Sequence, residues 1–308
     1  MMNKFQKQHP ISKVLNQQEK LLIDEPLSKH TTFQIGGKAQ YMVKVEDVSN
    51  LKDVLHLALE NNLAYFIIGS GSNLLISEQG IGGIVVKLGK GFSKIEFDGN
   101  RIICGAGVKL ADLVKVTSEH ILTGTEFLYG IPGTFGGAIK NNAGAFSHSI
   151  GEIIESVSGI QINSGFEIHD LELNKDQLGF SYRSSQLPKD FIITAGIIKL
   201  SQGKREAIRT EIERIKQFRK DAQPWGSSAG SIFKNPKGMA AGKLIDEAGL
   251  KGLAIGGAYI SNKHANFIIN RGGARFNDVL ELIQIMKMRV EARTGIILEE
   301  EVEIVSNE

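Results

Sequence analysis

Tyr65-Phe66-Ile67-Ile68-Gly69-Ser70-Gly71-Ser72-Asn73-Leu74-Leu75-Ile76 reads as two apolar, strand-like runs joined by a turn of small residues. It lies within seventeen consecutive uncharged residues, from Asn61 to Ser77. Glycines at 69 and 71 let the backbone take positive φ and approach a ligand closely. Ser70, Ser72 and Asn73 add short donors, so several N–H groups can converge on an anion such as a pyrophosphate. A turn of this composition also reads as a simple hairpin or crossover turn. What the loop lacks narrows the cofactor. A Rossmann fingerprint requires a third glycine and a helix opening behind it, whereas Leu74 and more strand follow here. The Gly-Lys-Ser/Thr ending of a nucleoside-triphosphatase loop is missing too.

Working outward, Ala39, Tyr41, Val43 and Val45 alternate as in a half-buried strand, and Val48, Leu51, Leu55, Ala58 and Leu59 keep helical spacing. Residues 38–76 are therefore expected to form a β-α-β unit with the Gly-Ser loop at its end. Strands are expected at 84–88, 94–97 and 101–104, then a helix over 108–119. Tyr129-Gly130-Ile131-Pro132-Gly133-Thr134-Phe135-Gly136-Gly137-Ala138, continued by Asn141-Asn142-Ala143-Gly144-Ala145, is too rich in glycine for a stable helix or strand. A loop of that length is usually functional, and its small side chains would let the backbone wrap a large flat ligand. Ile131, Phe135, Ile139 and Phe146 argue against a solvated excursion. Further strands are expected at 153–162, 166–173 and 191–200. Ile208, Ile212, Ile215 and Phe218 mark a helix over 204–220. A domain boundary near residue 200 divides the chain into 1–200, as two α+β lobes, and 201–308. In the second part a helix over 240–248 stops at Gly249, and strands fall at 255–260 and 266–269. A helix over 277–293 closes at Gly295, and a last strand sets Leu298, Val302 and Ile304 on one face.

The length of 308 residues suits about two domains. Hydrophobic content of 42% and charged content of 23% are those of an ordinary globular protein. A net charge of +2 without a dense Lys/Arg stripe argues against nucleic-acid binding. No apolar stretch is long enough to span a bilayer, and the N-terminal lysines have no apolar run behind them. The expectation is a cytoplasmic protein, a monomer, with no membrane partner. Cys104 is the only cysteine, which leaves no intrachain disulfide and reads as a small buried hydrophobe. The seven histidines are scattered without ligand spacing, so no metal is expected.

Four more segments complete the pattern: Thr31-Thr32-Phe33-Gln34-Ile35-Gly36-Gly37, Phe180-Ser181-Tyr182-Arg183-Ser184-Ser185, Ser228-Ala229-Gly230-Ser231-Ile232-Phe233-Lys234-Asn235-Pro236 and Glu299-Glu300-Glu301-Val302-Glu303. With the two glycine-rich segments, in this order and over nearly the whole chain, they resemble the UDP-N-acetylenolpyruvoylglucosamine reductase family, in its shorter type. The resemblance implies an α+β fold: an FAD-binding domain of the vanillyl-alcohol-oxidase kind followed by a smaller α/β substrate-binding domain. It implies non-covalent FAD, with its diphosphate on Gly69, Ser70, Gly71, Ser72 and Asn73. The isoalloxazine would lie against Ile131, Pro132, Gly133, Gly136, Gly137, Asn142, Ala143 and Gly144. It also implies NADPH as co-substrate and reduction of the enolpyruvyl ether of UDP-N-acetylglucosamine to UDP-N-acetylmuramate in peptidoglycan synthesis.

Hydride addition to the terminal carbon of that ether leaves an enolate conjugated with the substrate carboxylate, which must then be protonated. The chemistry needs a cation at the carboxylate, a polar group to stabilise the enolate and a proton donor. The resemblance assigns Arg183, Glu301 and Ser231 to these roles, and Tyr182, Arg219 and Asn235 to substrate binding; Lys243, Lys263 and His264 are further candidates. Read alone, Arg183 is equally a surface guanidinium, Ser231 a turn serine and Glu301 one of a solvated carboxylate row. The stretch Pro224-Trp225-Gly226-Ser227 departs from the family, which commonly has a proline just before its Ser-Ala-Gly-Ser run and slightly more chain. Two other functions remain open. One is a sugar or alcohol oxidase on the same flavin fold, although no histidine lies in either glycine-rich loop for covalent attachment. The other is a non-catalytic nucleotide-sugar binding protein.

Overall fold

A computed structural model describes residues 21–306, and the N-terminal lysines lie outside them. The chain forms two compact units. The first takes residues 21–25, Gln40–Gly69 and Gly82–Lys216, and the second Pro26–Ala39, Ser70–Ile81 and residues 217–306. The division expected at residue 200 differs from this in two ways: the helix Arg205–Ala222 runs through the later break, and two N-terminal segments join the C-terminal unit. Pairing explains the second difference, because Leu74–Ile76 lies parallel to Glu303–Val305.

In the first unit a four-stranded sheet runs in the order Leu21–Pro26, Lys38–Val45, Ile81–Leu88, Tyr65–Ile68. The helix Val48–Glu60 starts where the Asp47 side chain accepts from the Asn50 N–H, an N-cap that satisfies one of its orphan donors. It buries Leu51, Val54, Leu55 and Ala58 against Tyr41, Val43, Ile84 and Val86 on one face of this sheet. The antiparallel five-stranded sheet orders Ile168–Asn174, Ile154–Ile162, Phe191–Lys199, Arg101–Gly105 and Ile95–Asp98. Its core gathers Cys104, Val157 and Ile198 with Leu113 and Phe135. Burial pushes the Cys104 thiol well above its usual range, as befits a packed apolar group.

The expected β-α-β unit holds as far as Tyr65–Ile68, with Ile81–Leu88 inserted between its strands. The Gly-Ser loop is not a hairpin turn: Tyr65–Ile68 pairs with Ile81–Leu88, whereas Leu74–Ile76 pairs with Glu303–Val305. Residues 129–146 are not wholly irregular either. Phe135–Lys140 is a short helix despite Gly136 and Gly137, and Gly144–Ala145 pairs with His148–Ser149. Burial of Phe135 and Ile139 and the Thr134 cap outweigh the low helix propensity of glycine. Gly136 is there because a Cβ would stand 2.9 Å from that of Ala106.

The second unit packs Phe33, Leu75, Ile232, Phe233, Ile268, Val279 and Met286 between the helices Ala241–Glu247 and Phe276–Thr294 and a three-stranded antiparallel sheet. One strand expected over 255–260 is instead a hairpin, Ala254–Ile255 with Ala258–Ile260, turned at Gly256 with φ 51° and Gly257. No helix of the described residues is long and apolar enough to cross a membrane.

Candidate functional site

In the first unit the two glycine-rich segments touch. A Cβ at Gly69 would stand 2.6 Å from Thr134 Oγ1, so the Gly-Ser loop starts against the turn that opens the helix Phe135–Lys140. Gly136 N–H donates to the Ala106 carbonyl at 2.9 Å, and Gly133 O accepts from Leu110 N–H at 3.1 Å, which pins this turn to the chain at 106–110.

Asn142, only 6% exposed and at φ 42°, fastens the end of the segment. Its Nδ2 donates to Ser181 O at 2.7 Å and its Oδ1 accepts from Gly151 N–H at 3.0 Å. Arg183 Nη1 donates to Gly144 O at 2.8 Å, and Ser185 Oγ to Lys140 O at 2.7 Å. Segments 131–145 and 180–185 are thereby one assembly. Arg183 itself holds φ 54°, a left-handed conformation unusual for a side chain of this size, and its guanidinium lies 5.5 Å from the centre of the Tyr182 ring. Strain of this kind persists where surrounding bonds over-determine it, and it concentrates at functional sites. Tyr182 is 56% exposed, so an aromatic face and a fixed cation are offered together.

The second unit gathers the other candidates. Gly71 has φ 60°, and a Cβ there would stand 2.2 Å from His30 O, a position that only glycine fits. Thr32 N–H donates to Gly71 O at 3.2 Å, and Thr32 Oγ1 to Ser228 O at 2.7 Å. Asn73 Nδ2 donates to Glu301 O at 2.9 Å, and Glu303 N–H to Asn73 O at 2.9 Å. Ile232 O accepts from Glu301 N–H at 2.8 Å and Val302 N–H at 3.3 Å. Ser231 therefore precedes the residue that holds Glu301, and the Gly-Ser loop is bound to the same point. Glu301 is partly buried, not a member of a fully solvated row, while Glu299 pairs with Lys234 and Glu300 with Lys287.

Asn266 frames this arrangement from below. It is 2% exposed; its Oδ1 accepts from Phe233 N–H at 3.0 Å, its Nδ2 donates to Phe233 O at 2.8 Å, and its own carbonyl accepts from Ile232 N–H at 2.9 Å. Sequence reasoning passed over it, although a lone asparagine in Ala265-Asn266-Phe267-Ile268-Ile269 signals a buried polar group that must be bonded. Thr134 was also missed as a contact of Gly69; a threonine opening an apolar run is a cap signal.

The remaining candidates are more dispersed. Asn235 Oδ1 accepts from Ala241 N–H at 3.0 Å, and Arg219 Nη1 donates to Gln223 Oε1 at 3.0 Å. Lys263 Nζ donates to Lys220 O at 2.6 Å, and Lys243 lies 3.8 Å from Glu247. His264 Nδ1 accepts from Asn266 N–H at 3.3 Å, and burial, with Lys251 adding to it, lowers its pKa and favours the neutral ring.

Comparison with known proteins adds a consistent picture. A family model described as an FAD binding domain matches residues 39–164, and one described as the C-terminal domain of UDP-N-acetylenolpyruvoylglucosamine reductase matches residues 221–305. A curated protein of that name from Caldanaerobacter subterraneus is 42% identical, over 93% of this chain and 94% of its own. One from Alkaliphilus oremlandii is 42% identical over 100% of both chains, and one from Bacillus subtilis 40% identical over 93% and 94%. A crystal structure of UDP-N-acetylenolpyruvylglucosamine reductase from Thermus caldophilus superposes with a TM-score of 0.79 at 37% identity, covering 93% of this chain and 98% of that one.

Proposed function

The chain belongs to the UDP-N-acetylenolpyruvoylglucosamine reductase family, and on that premise we propose that it reduces the enolpyruvyl ether of UDP-N-acetylglucosamine to UDP-N-acetylmuramate. NADPH is the electron source, FAD the carrier, and peptidoglycan precursor synthesis in the cytoplasm the setting; the enzyme acts as a monomer.

The residues present fit a flavin dinucleotide. At Gly69 the missing side chain makes room for the Thr134 hydroxyl. At Gly137 a Cβ would touch nothing nearer than Thr134 Oγ1 at 3.5 Å, so the protein's own packing does not require that glycine. Space beside a glycine that packing leaves over suits a flat ligand. When bound, FAD supplies a hydride acceptor for NADPH and a hydride donor for the enol ether.

The chain's own residues then have separate tasks. The loop at Gly69, Ser70, Gly71, Ser72 and Asn73 directs N–H and hydroxyl groups at the diphosphate, while Ile131, Pro132, Gly133, Gly136, Gly137, Ala143 and Gly144 wall the ring system. Arg183, held by Gly144 O, meets the substrate carboxylate with its guanidinium. Glu301 stabilises the enolate by a hydrogen bond, and Ser231 Oγ delivers the proton to the carbanionic carbon. Tyr182, Arg219 and Asn235 bind the nucleotide-sugar.

The observation that carries this reading is the main-chain link from Ser231 through Ile232 O to Glu301, with Asn73 on the Glu301 carbonyl. The test is spectroscopic. The purified protein should be yellow and should release FAD through a size filter after denaturation. Anaerobic NADPH should bleach it, and the enolpyruvyl substrate should restore the colour. Release of FMN, flavin retained on the polypeptide, or recovery with oxygen but not with substrate would overturn the proposal.

A further inference from the structure

Within the second unit, segment 231–234 is bonded along both of its edges. On one edge Ile232 O accepts from Glu301 N–H at 2.8 Å, Lys234 N–H donates to Glu299 O at 2.9 Å, and Phe233 and Glu300 form an antiparallel bridge. The other edge also starts as a ladder: Ser231 bridges Phe267 in antiparallel fashion, and Ile232 N–H donates to Asn266 O at 2.9 Å. Continued in that register, Phe233 would next face Ala265. The chain turns back there instead, with Phe267 N–H donating to His264 O at 3.0 Å. Phe233 is buried, so its N–H and C=O must find their partners inside the protein.

The Asn266 side chain provides them. Its Oδ1 accepts from Phe233 N–H at 3.0 Å and its Nδ2 donates to Phe233 O at 2.8 Å, the two bonds that a main-chain partner would make in a ladder. The residue is itself held through its backbone, since Asn266 N–H donates to His264 Nδ1 at 3.3 Å and Asn266 O accepts from Ile232 N–H. A neutral amide offers an acceptor and a donor side by side. An aspartate in its place offers that pair only when protonated.

We propose that Asn266 is a positioning residue for the protonation step: its amide stands in for a ladder partner and thereby sets where Ser231 Oγ is held. The inference rests on the role of Ser231 given above. A reacting group displaced by about 1 Å loses on the order of 10²-fold in rate, so a brace two residues from the hydroxyl matters to the chemistry even where the fold survives its loss.

The experiment follows both half-reactions of the flavin-loaded wild type, Asn266→Ala and Asn266→Asp by anaerobic stopped flow, in water and in heavy water. In Asn266→Ala, bleaching by NADPH should stay within about twofold of the wild type, while reoxidation by the enolpyruvyl substrate should slow by ~10²-fold. The solvent isotope effect on reoxidation should exceed that of the wild type, because transfer from a misplaced donor becomes the slow step. Asn266→Asp should be slow at about pH 8.5, where a carboxylate oxygen faces Phe233 O, and should recover relative to the wild type toward about pH 6 as the buried carboxyl takes up its proton. A merely structural asparagine would slow both half-reactions alike and leave the isotope effect as it was. Either of those results, or reoxidation of Asn266→Ala within about threefold of the wild type, would overturn the proposal. Should Asn266→Ala not fold, Asn266→Asp decides from one preparation at the two pH values, and no recovery on acidification overturns the proposal. Reoxidation of Ser231→Ala at the wild-type rate would instead overturn the role of Ser231, and this inference with it.

Discussion

The two units hold their candidate residues by different means. In the first, Asn142 and Arg183 sit at left-handed backbone positions, and their side chains make the bonds that fix the assembly: Asn142 to Ser181 and Gly151, Arg183 to Gly144. In the second, Ser231 and Glu301 are fixed by main-chain bonds, through Ile232 O and the bridges Ser231 to Phe267 and Phe233 to Glu300. A side-chain substitution in the first unit therefore changes placement and chemistry together. A side-chain substitution at Ser231 changes chemistry and leaves the frame standing. Main-chain changes, or loss of the Asn73 and Asn266 amides that bond this main chain, are what should damage the second unit.

Gly71→Val attacks that frame and should have the largest effect. A β-branched residue at φ 60°, with its Cβ 2.2 Å from His30 O, forces the loop to move. A loss of about 3 kcal/mol or more in denaturant unfolding is expected, together with loss of flavin from the purified protein. Full flavin occupancy at wild-type stability would show that the loop's backbone is not fixed as described.

Asn142→Leu tests the first unit's reliance on side chains. Two hydrogen bonds disappear: the buried Gly151 N–H and the part-buried Ser181 O both lose that partner. Urea unfolding should report a loss of about 2–4 kcal/mol. A loss below about 0.5 kcal/mol, the level of a neutral surface change, would mean that segments 131–145 and 180–185 do not depend on this bracket.

Gly137→Ala should have the smallest effect on folding. Its Cβ would make only an ordinary contact at 3.5 Å, and alanine is the better helix former, so the apoprotein should gain up to about 1 kcal/mol. Flavin affinity should fall nonetheless, because the methyl enters the space assigned to the ring system. Unchanged affinity by fluorescence titration would move the flavin away from this turn.

Much of the architecture was legible in periodicity. The helices Val48–Glu60, Arg205–Ala222 and Phe276–Thr294 and the strands of the first unit follow apolar spacing that tertiary packing reinforces. Local pattern failed where long-range pairing or close approach decides. The helix Phe135–Lys140 depends on Ala106 and on burial of Phe135, neither of which glycine propensity registers. The hairpin at Gly256 and Gly257 reads locally as one strand because its apolar residues run on through the turn. No local signal foretells that Leu74–Ile76 joins a strand more than two hundred residues away. For the candidate site, the cradle glycines spoke for themselves, since Gly69 and Gly71 need close approach and positive φ. The neighbourhood of Ser231 and Glu301 did not, because a serine in a Ser-Ala-Gly-Ser run and a glutamate in a Glu-rich run carry no trace of Ile232 O, which joins them; only resemblance to a family brought them together.

Ser231→Ala tests the central claim most directly, namely that the second unit carries the protonation step through a hydroxyl set in an independent frame. The variant should fold within about 1 kcal/mol of the wild type, keep its FAD and be bleached by NADPH at the ordinary rate. In anaerobic stopped flow, reoxidation of the reduced variant by the enolpyruvyl substrate should slow by at least ~10²-fold, the lower end of what a positioned general acid contributes. Reoxidation at the wild-type rate would leave Ser231 as an ordinary turn serine and contradict the account.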